Sequence, residues 1–567
     1  MKVELNRVQL QRARTEMRRL ADAVTAAVPQ STSATPIALP SLSDLTAKAE
    51  WMHEQLPLLA DLTVVAMLLD ADGDGHTTVT VPGDTWDPAE TIREAGDSRF
   101  GPGFVEATGL AGEELAELLL TLGSVGQESP PGSVMTPEEL RRFIIEHPEV
   151  AEALQNTRPP YGEGPAGTLR SLTGSFITAA GGAAAAYEQR RLTARDLFAN
   201  LSPADAAILA MTYPSIVGNL PGVPFENRAH ANTVNVVAAL ADERRELETM
   251  RDEHEGNQSD RDLFGRNNND LEGPIKDLEK RIKLYESILN DNRTIVYFDP
   301  AGDGAIAELH GTIDQHTRNA GVLVPGTGTD LAGFEGVARR SRGFQEYDQS
   351  GGLAMISWMG GDLPDGVVGD APDPQYSKEL GPRLADFSRD LRLEIDRAGA
   401  DHARVTVAGH SYGGAVVGRS ELGGLDADRV LHIESAGMGH DVRNGSDLPT
   451  SQRKVDRYSM TAPGDFIELT QGVQKGGIGH GADPDTFDGT TRLHTGNKVD
   501  GEPNTGFDAH SGVFQAGSEA WNNMYAVFIG GEVETYRSPN YEHVYTGHGT
   551  ATYQDGWNDD GKKVNIP

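Results

Sequence analysis

From Arg293 onward the chain changes its hydrophobic period, and this limits the fold more than any other feature. TIVYF (294–298), GVLVPG (321–326), GLAMISW (352–358), RVTVAG (404–409), RVLHIES (429–435) and DRYSMTAP (456–463) are short runs of apolar and β-prone residues. Helical patterns separate several of them, most clearly over 377–398. Strands that alternate with helices need crossover connections. Such connections are right-handed and generate a mostly parallel sheet. Residues 291–567 are therefore expected to form an α/β domain.

Residues 1–290 read as an all-α N-terminal region. Leu5, Val8, Ala13, Met17 and Leu20 recur at helical spacing and predict an amphipathic opening helix. PQSTSATPIALPS reads as a linker, and helical patterns follow at 43–69, 111–123, 136–155, 169–190 and 203–212. Residues 241–290 are dense in Glu, Asp, Arg and Lys and are broken by GRNNND, which predicts a charged helical hairpin acting as a solvated spacer. A chain of 567 residues suggests two or three domains. The formal charge of −36 argues against nucleic acid and anionic lipid as partners, since both need a basic patch. With no cysteine, thiolate catalysis, disulfides and cysteine metal sites are excluded. The N-terminus lacks the apolar core of a secretory signal, and no run is long enough to span a membrane. The expectation is a cytoplasmic protein, or one exported without a cleavable signal peptide.

VTVAGHSYGGAVVG (405–418) carries the chemistry. A Gly-x-Ser-x-Gly is weak evidence in a chain with 66 glycines, but here a strand leads in and a small-residue helix start leads out. A sharp strand-to-helix turn lifts a serine above the sheet and aims a helix N-terminus at it, where developing negative charge is stabilised. Gly409 and Gly413 lack the Cβ atoms that would collide across such a turn. Ser411 is the expected nucleophile. The backbone N–H of Tyr412, with that of Thr327 or Gly328 in VLVPGTGTD, would form an oxyanion hole. PGTGTD lacks the lysine of a nucleotide-binding P-loop. The acid should follow the serine and the histidine should follow the acid. Asp465 in MTAPGDFI is the first choice for the acid, with Glu434 as the alternative. His510 in DAHSGVF, just before a helical pattern, is favoured as the base; His480 and His494 are the alternatives, and His543 and His548 lie in the tail. In this arrangement the histidine takes the serine proton and the aspartate orients the imidazole.

The blocks taken together resemble an actinobacterial α/β-hydrolase family of uncharacterised function, whose members often carry a long helical N-terminal region. YPSIVGNLPGVPFENRAHAN (213–232), TIVYFDPAGDGAIAELHG (294–311), VLVPGTGTD, AMISWMG, VAGHSYGG and TAPGDFI occur in the family's order and span about 213–514. The resemblance implies the α/β-hydrolase fold, with a first strand pair in 294–311, and a triad of Ser411, Asp465 and His510. The function it implies is cleavage of a carboxylic ester or related acyl bond through an acyl-enzyme. No organic cofactor is implied.

Other features are secondary. Asp70, Asp72, Asp74 and Gly75 have the spacing that opens a calcium loop, but the twelfth position is Val81 where a bidentate Glu is expected, which favours an acidic turn. His410 and Trp358 are candidates for the substrate pocket, and core packing is equally open for Trp358. AGMGHDVRNGSDL (436–448) reads as a flexible rim or lid with His440 at the surface. FITAAGGAAAAYE reads as close helix packing. A rival reading makes the helical half an export or partner-binding module and the α/β domain a scaffold or weak enzyme. Against it, the only Trp-x-Gly, Trp358 to Gly360, follows a strand, and no Tyr-x-x-x-Asp/Glu tail is found.

Overall fold

The structure is a computed structural model. It describes residues 2–31, 42–68, 76–80, 88–127, 134–173, 182–264, 271–366, 369–475, 477–546 and 549–566. The chain divides into two compact units, Met1–Asp242 and Glu243–Pro567. The division falls within the helix Phe225–Phe264, upstream of the change of period at Arg293.

The N-terminal unit is helical, with one departure from an all-α reading. Lys2–Asn6 pairs antiparallel with His76–Thr80, so a strand precedes the opening helix Arg7–Ser31. The helices Leu42–Leu68, Gly112–Gly123, Pro137–Glu146, Pro148–Gln155 and Pro203–Thr212 occupy the segments whose periodicity predicts them. In the 213–232 block, two asparagines of one helix lock the preceding turn. Asn232 Nδ2 donates to Gly218 O at 3.0 Å and Asn235 Nδ2 to Pro214 O at 3.2 Å. The calcium-loop residues Asp70, Asp72 and Asp74, most of the 29–41 linker and residues 176–181 of the small-residue stretch lie outside the described residues.

In the C-terminal unit, helix α1 (Glu272–Asn290) pairs with the preceding helix through Arg244–Glu286 at 2.7 Å and Arg251–Glu279 at 2.8 Å, the charged hairpin expected. Its Tyr285 packs edge-on against Phe298 of the sheet that follows. Eight strands form that sheet: β1 (Thr294–Asp299), β2 (Ala305–His310), β3 (Asn319–Val324), β4 (Leu353–Met359), β5 (Arg404–His410), β6 (Arg429–Ile433), β7 (Asp456–Met460) and β8 (Thr490–Arg492). Their order is β1-β2-β4-β3-β5-β6-β7-β8. Only β2 runs antiparallel to its neighbours. This is an α/β-hydrolase fold. The central strands are buried along almost their whole length, which is why they read as continuous apolar runs.

Helices α2 (Phe334–Tyr347), α3 (Gln375–Arg397), α4 (Tyr412–Leu422) and α5 (Glu519–Ile529) cover the sheet. Phe344 of α2 stacks on Trp521 of α5, with ring centroids 4.9 Å apart. Trp358 is 2% exposed at the end of β4 and packs toward Phe387 of α3, so its place is in the core. The 436–448 loop is also packed: Met438, Val442 and Leu448 form a buried cluster with Phe487, which a mobile lid would not do.

Candidate active site

Strand β5 ends at His410 and helix α4 begins at Tyr412, so Ser411 alone makes the turn. Its φ of 55° and ψ of −122° lie where an L side chain is strained, at a cost of about 1–3 kcal/mol. Backbone hydrogen bonds hold it there. Ser411 N–H donates to Ile433 O at 2.9 Å, and Ser411 O accepts from Ala436 and Gly414 at 3.0 Å each. The turn is compact because glycine surrounds it. A Cβ on Gly326 would stand 2.6 Å from that of Ser411, and one on Gly413 would overlap the carbonyl oxygens of Val324 and Pro325. Gly413→Ala is therefore expected to destabilise the domain by about 2–3 kcal/mol, seen as a lower urea midpoint. An unchanged midpoint would mean that the elbow and β3 pack less closely than the structure has them.

Ser411 opens onto a cavity that Thr327 and Tyr412 also line. Tyr412 holds the first N–H of α4, which has no intrahelical acceptor. Thr327 N–H makes no backbone hydrogen bond among the described residues. Gly328 N–H donates to Pro364 O at 2.7 Å, so of the two glycine-loop candidates only Thr327 keeps a donor to offer.

Asp465 follows β7 and His510 lies in the short helix Ala509–Gly512. The fold brings them together across 45 residues: His510 Nδ1–H donates to Asp465 Oδ2 at 2.9 Å, which leaves Nε2 available. Asp465 is buried, and its Oδ1 accepts from Ile467 N–H at 3.0 Å. The Phe466 ring covers the imidazole of His510 at 4.7 Å. His410 does not line the cavity. It is buried beneath His510, its ring 5.0 Å away, and its Nε2–H donates to His510 O at 2.8 Å. Burial, then the charge of Arg340, holds its pKa well below the ordinary value, so it serves as a neutral strut.

The other histidines are committed elsewhere. His480 lines the cavity, but its Nε2–H donates to Ala371 O at 2.6 Å and its ring packs on Tyr412. His494 is buried against Trp557, and burial lowers its pKa to about 4. His440 is not a surface residue. It is 5% exposed, and Nδ1 hydrogen-bonds Gly479 O at 2.8 Å. The side chains of His543 and His548 lie outside the described residues.

Glu434, the alternative acid, is also at the site. It is fully buried, has a φ of 43°, and accepts from Ala462 N–H at 2.9 Å and 3.1 Å. Burial first, then the charge of Asp465 and the hydrogen bond between the two carboxyls, raises its pKa well above the ordinary value. Burial thus favours the protonated form of Glu434, whose carboxyl can donate to Asp465. Ligand atoms of Glu434, Asp465 and His510 lie within 4.8 Å of one another, a spacing that a cation could bridge. The Asp465–His510 hydrogen bond and the Glu434 proton already account for their closeness.

Residues 299–474 match the model of a family described as alpha/beta hydrolase. Uncharacterised proteins of two Mycobacterium tuberculosis strains are 26% identical over 381 residues, covering 61% of this chain. The match covers 54% of those relatives, so the chain spans about half their length. A solved structure described as a serine hydrolase without lid, from Xanthomonas campestris, is 14% identical with a TM-score of 0.21, over 35% of this chain and 83% of that one. Among the described residues no helix is long and apolar enough to cross a membrane.

Proposed function

We propose that this chain, whose C-terminal domain is an α/β hydrolase, cleaves carboxylic esters through a serine nucleophile and an acyl-enzyme. One observation carries the reading. The strained Ser411 faces a cavity at the end of the central strand, and a His510 hydrogen-bonded to a buried Asp465 has its carbonyl held by His410, the residue before Ser411. Ser411 Oγ attacks the carbonyl carbon while His510 Nε2 takes its proton. Asp465 holds the imidazole in the tautomer that leaves Nε2 open and stabilises its cation. The N–H groups of Tyr412 and Thr327 receive the oxyanion. Collapse breaks the carbon–oxygen bond, and the alcohol leaves with the proton from His510. Water, giving a proton to His510 Nε2, then attacks the acyl carbon; the bond to Ser411 Oγ breaks, Oγ regains the proton from His510, and the carboxylic acid leaves.

The test is covalent. Purified protein is treated with a fluorophosphonate and digested, and the adduct is mapped by mass spectrometry. A single phosphonylated site at Ser411 is expected. An adduct on another residue, or none with a probe as small as diisopropyl fluorophosphate, would overturn the reading.

A further inference from the structure

The cavity beside Ser411 has a volume of about 230 Å³. Ala371 and Pro372 supply one wall, Phe466 and Ile467 another, and Val473 and Ile478 a third. The last two belong to the hairpin that pairs Gln474–Lys475 with Ile478–Gly479, and each leaves about half its surface at the rim, 48% and 55% exposed. The hairpin is tied down by Gly479 N–H donating to Pro372 O at 3.0 Å and by the His440–Gly479 bond.

No charged side chain lines this space, and beyond the Ser411 hydroxyl and the Thr327 and Tyr412 N–H groups at the reacting end, its polar side chains are largely engaged within the protein. Tyr412 Oη donates to Asp373 O at 2.6 Å and Thr470 Oγ1 to Ile467 O at 2.9 Å. His480 gives its one N–H to Ala371, and burial keeps its pKa below the ordinary value, so the ring is neutral. Away from the reacting end, a polar occupant would recover little of its hydration. An anionic chain end would also meet the charge of Asp373, which acts on both His480 and Tyr412 of the lining. An apolar chain loses nothing. A dry cavity of about 150 Å³ accepts benzene, six carbons, and on that scale 230 Å³ takes roughly nine.

We infer that this cavity is the acyl pocket and that the substrates are neutral esters of medium-length aliphatic acids, roughly eight to ten carbons long. This rests on Ser411 being the nucleophile proposed above.

The test uses the full-length protein with p-nitrophenyl acetate, butyrate, hexanoate, octanoate, decanoate and palmitate. In wild type kcat/KM is expected to rise about fourfold per added methylene up to octanoate or decanoate, with no further gain at palmitate. Ile478→Asp should lower the octanoate-to-acetate ratio of kcat/KM by roughly tenfold or more, whereas Ile478→Leu should preserve it. A flat or falling series in protein that phosphonylates at Ser411 would overturn the acyl-pocket assignment and leave the serine hydrolase reading intact. An unchanged ratio in Ile478→Asp would do the same. No phosphonylation and no turnover of any ester would remove both.

Discussion

Ser411→Ala is expected to lower kcat for an activated ester by a factor on the order of 10⁵–10⁶ while leaving a folded protein. The size follows from what is lost. Without Oγ no acyl-enzyme forms, and the remaining donors stabilise only direct attack by water. KM should change little, because the cavity walls are untouched. Ser411→Gly separates the chemistry from the strain. It should be equally inactive, yet unfold at a higher temperature than Ser411→Ala. A φ of 55° costs glycine nothing, and after the greater unfolded-chain entropy of glycine a gain of about 1 kcal/mol remains. Kinetics with an ester substrate and thermal melts of the three proteins check both statements. Activity that survives in Ser411→Ala would place the nucleophile elsewhere.

Why the turn was legible and its surroundings were not comes down to range. The strand, the Gly-x-Ser-x-Gly turn and the helix are local features, so their residues carry their own signal. The buried central strands announce themselves as apolar runs. The antiparallel β2 carries a weaker pattern, because Glu308 sits in its middle, where the ion pair with Arg293 at 2.5 Å, supported by Arg342 at 3.8 Å, makes its burial tolerable. Resemblance, rather than periodicity, points to it. The three-residue edge strand Thr490–Arg492 is too short and polar to show a pattern. Contacts between distant segments are hidden in the same way. Nothing near Gly328 signals that Pro364 takes its N–H, and nothing near His410 signals that it supports the carbonyl of a residue 100 positions away. His440 looks like a surface residue until the hairpin at 474–479 covers it. The sequence ranks Asp465 first but keeps Glu434 as the alternative, because both follow strands at the correct edge of the sheet. Only the hydrogen-bond pattern distinguishes them.

That distinction sets the second large effect. Asp465→Asn is expected to lower kcat by about 10⁴, because an amide turned toward Nδ1 favours the wrong imidazole tautomer. Glu434→Gln should cost no more than about fivefold, since Gln keeps a neutral donor where the protonated carboxyl stands. Stability supplies an independent check on that proton. The folded-state pKa of Glu434 is raised above its unfolded value, so the folded protein holds a proton that the unfolded chain releases. Its contribution is present in full below the ordinary carboxyl range and is lost as pH rises from there toward the raised value. Gln has no such dependence. Glu434→Gln should therefore gain stability relative to wild type as pH increases from 5 to 8, by at most about 1.4 kcal/mol per pH unit. If instead Glu434→Gln suffers the 10⁴-fold loss and Asp465→Asn the small one, the roles are exchanged. Glu434 would then be the ionised acid that orients His510, and the stability difference would lose its slope.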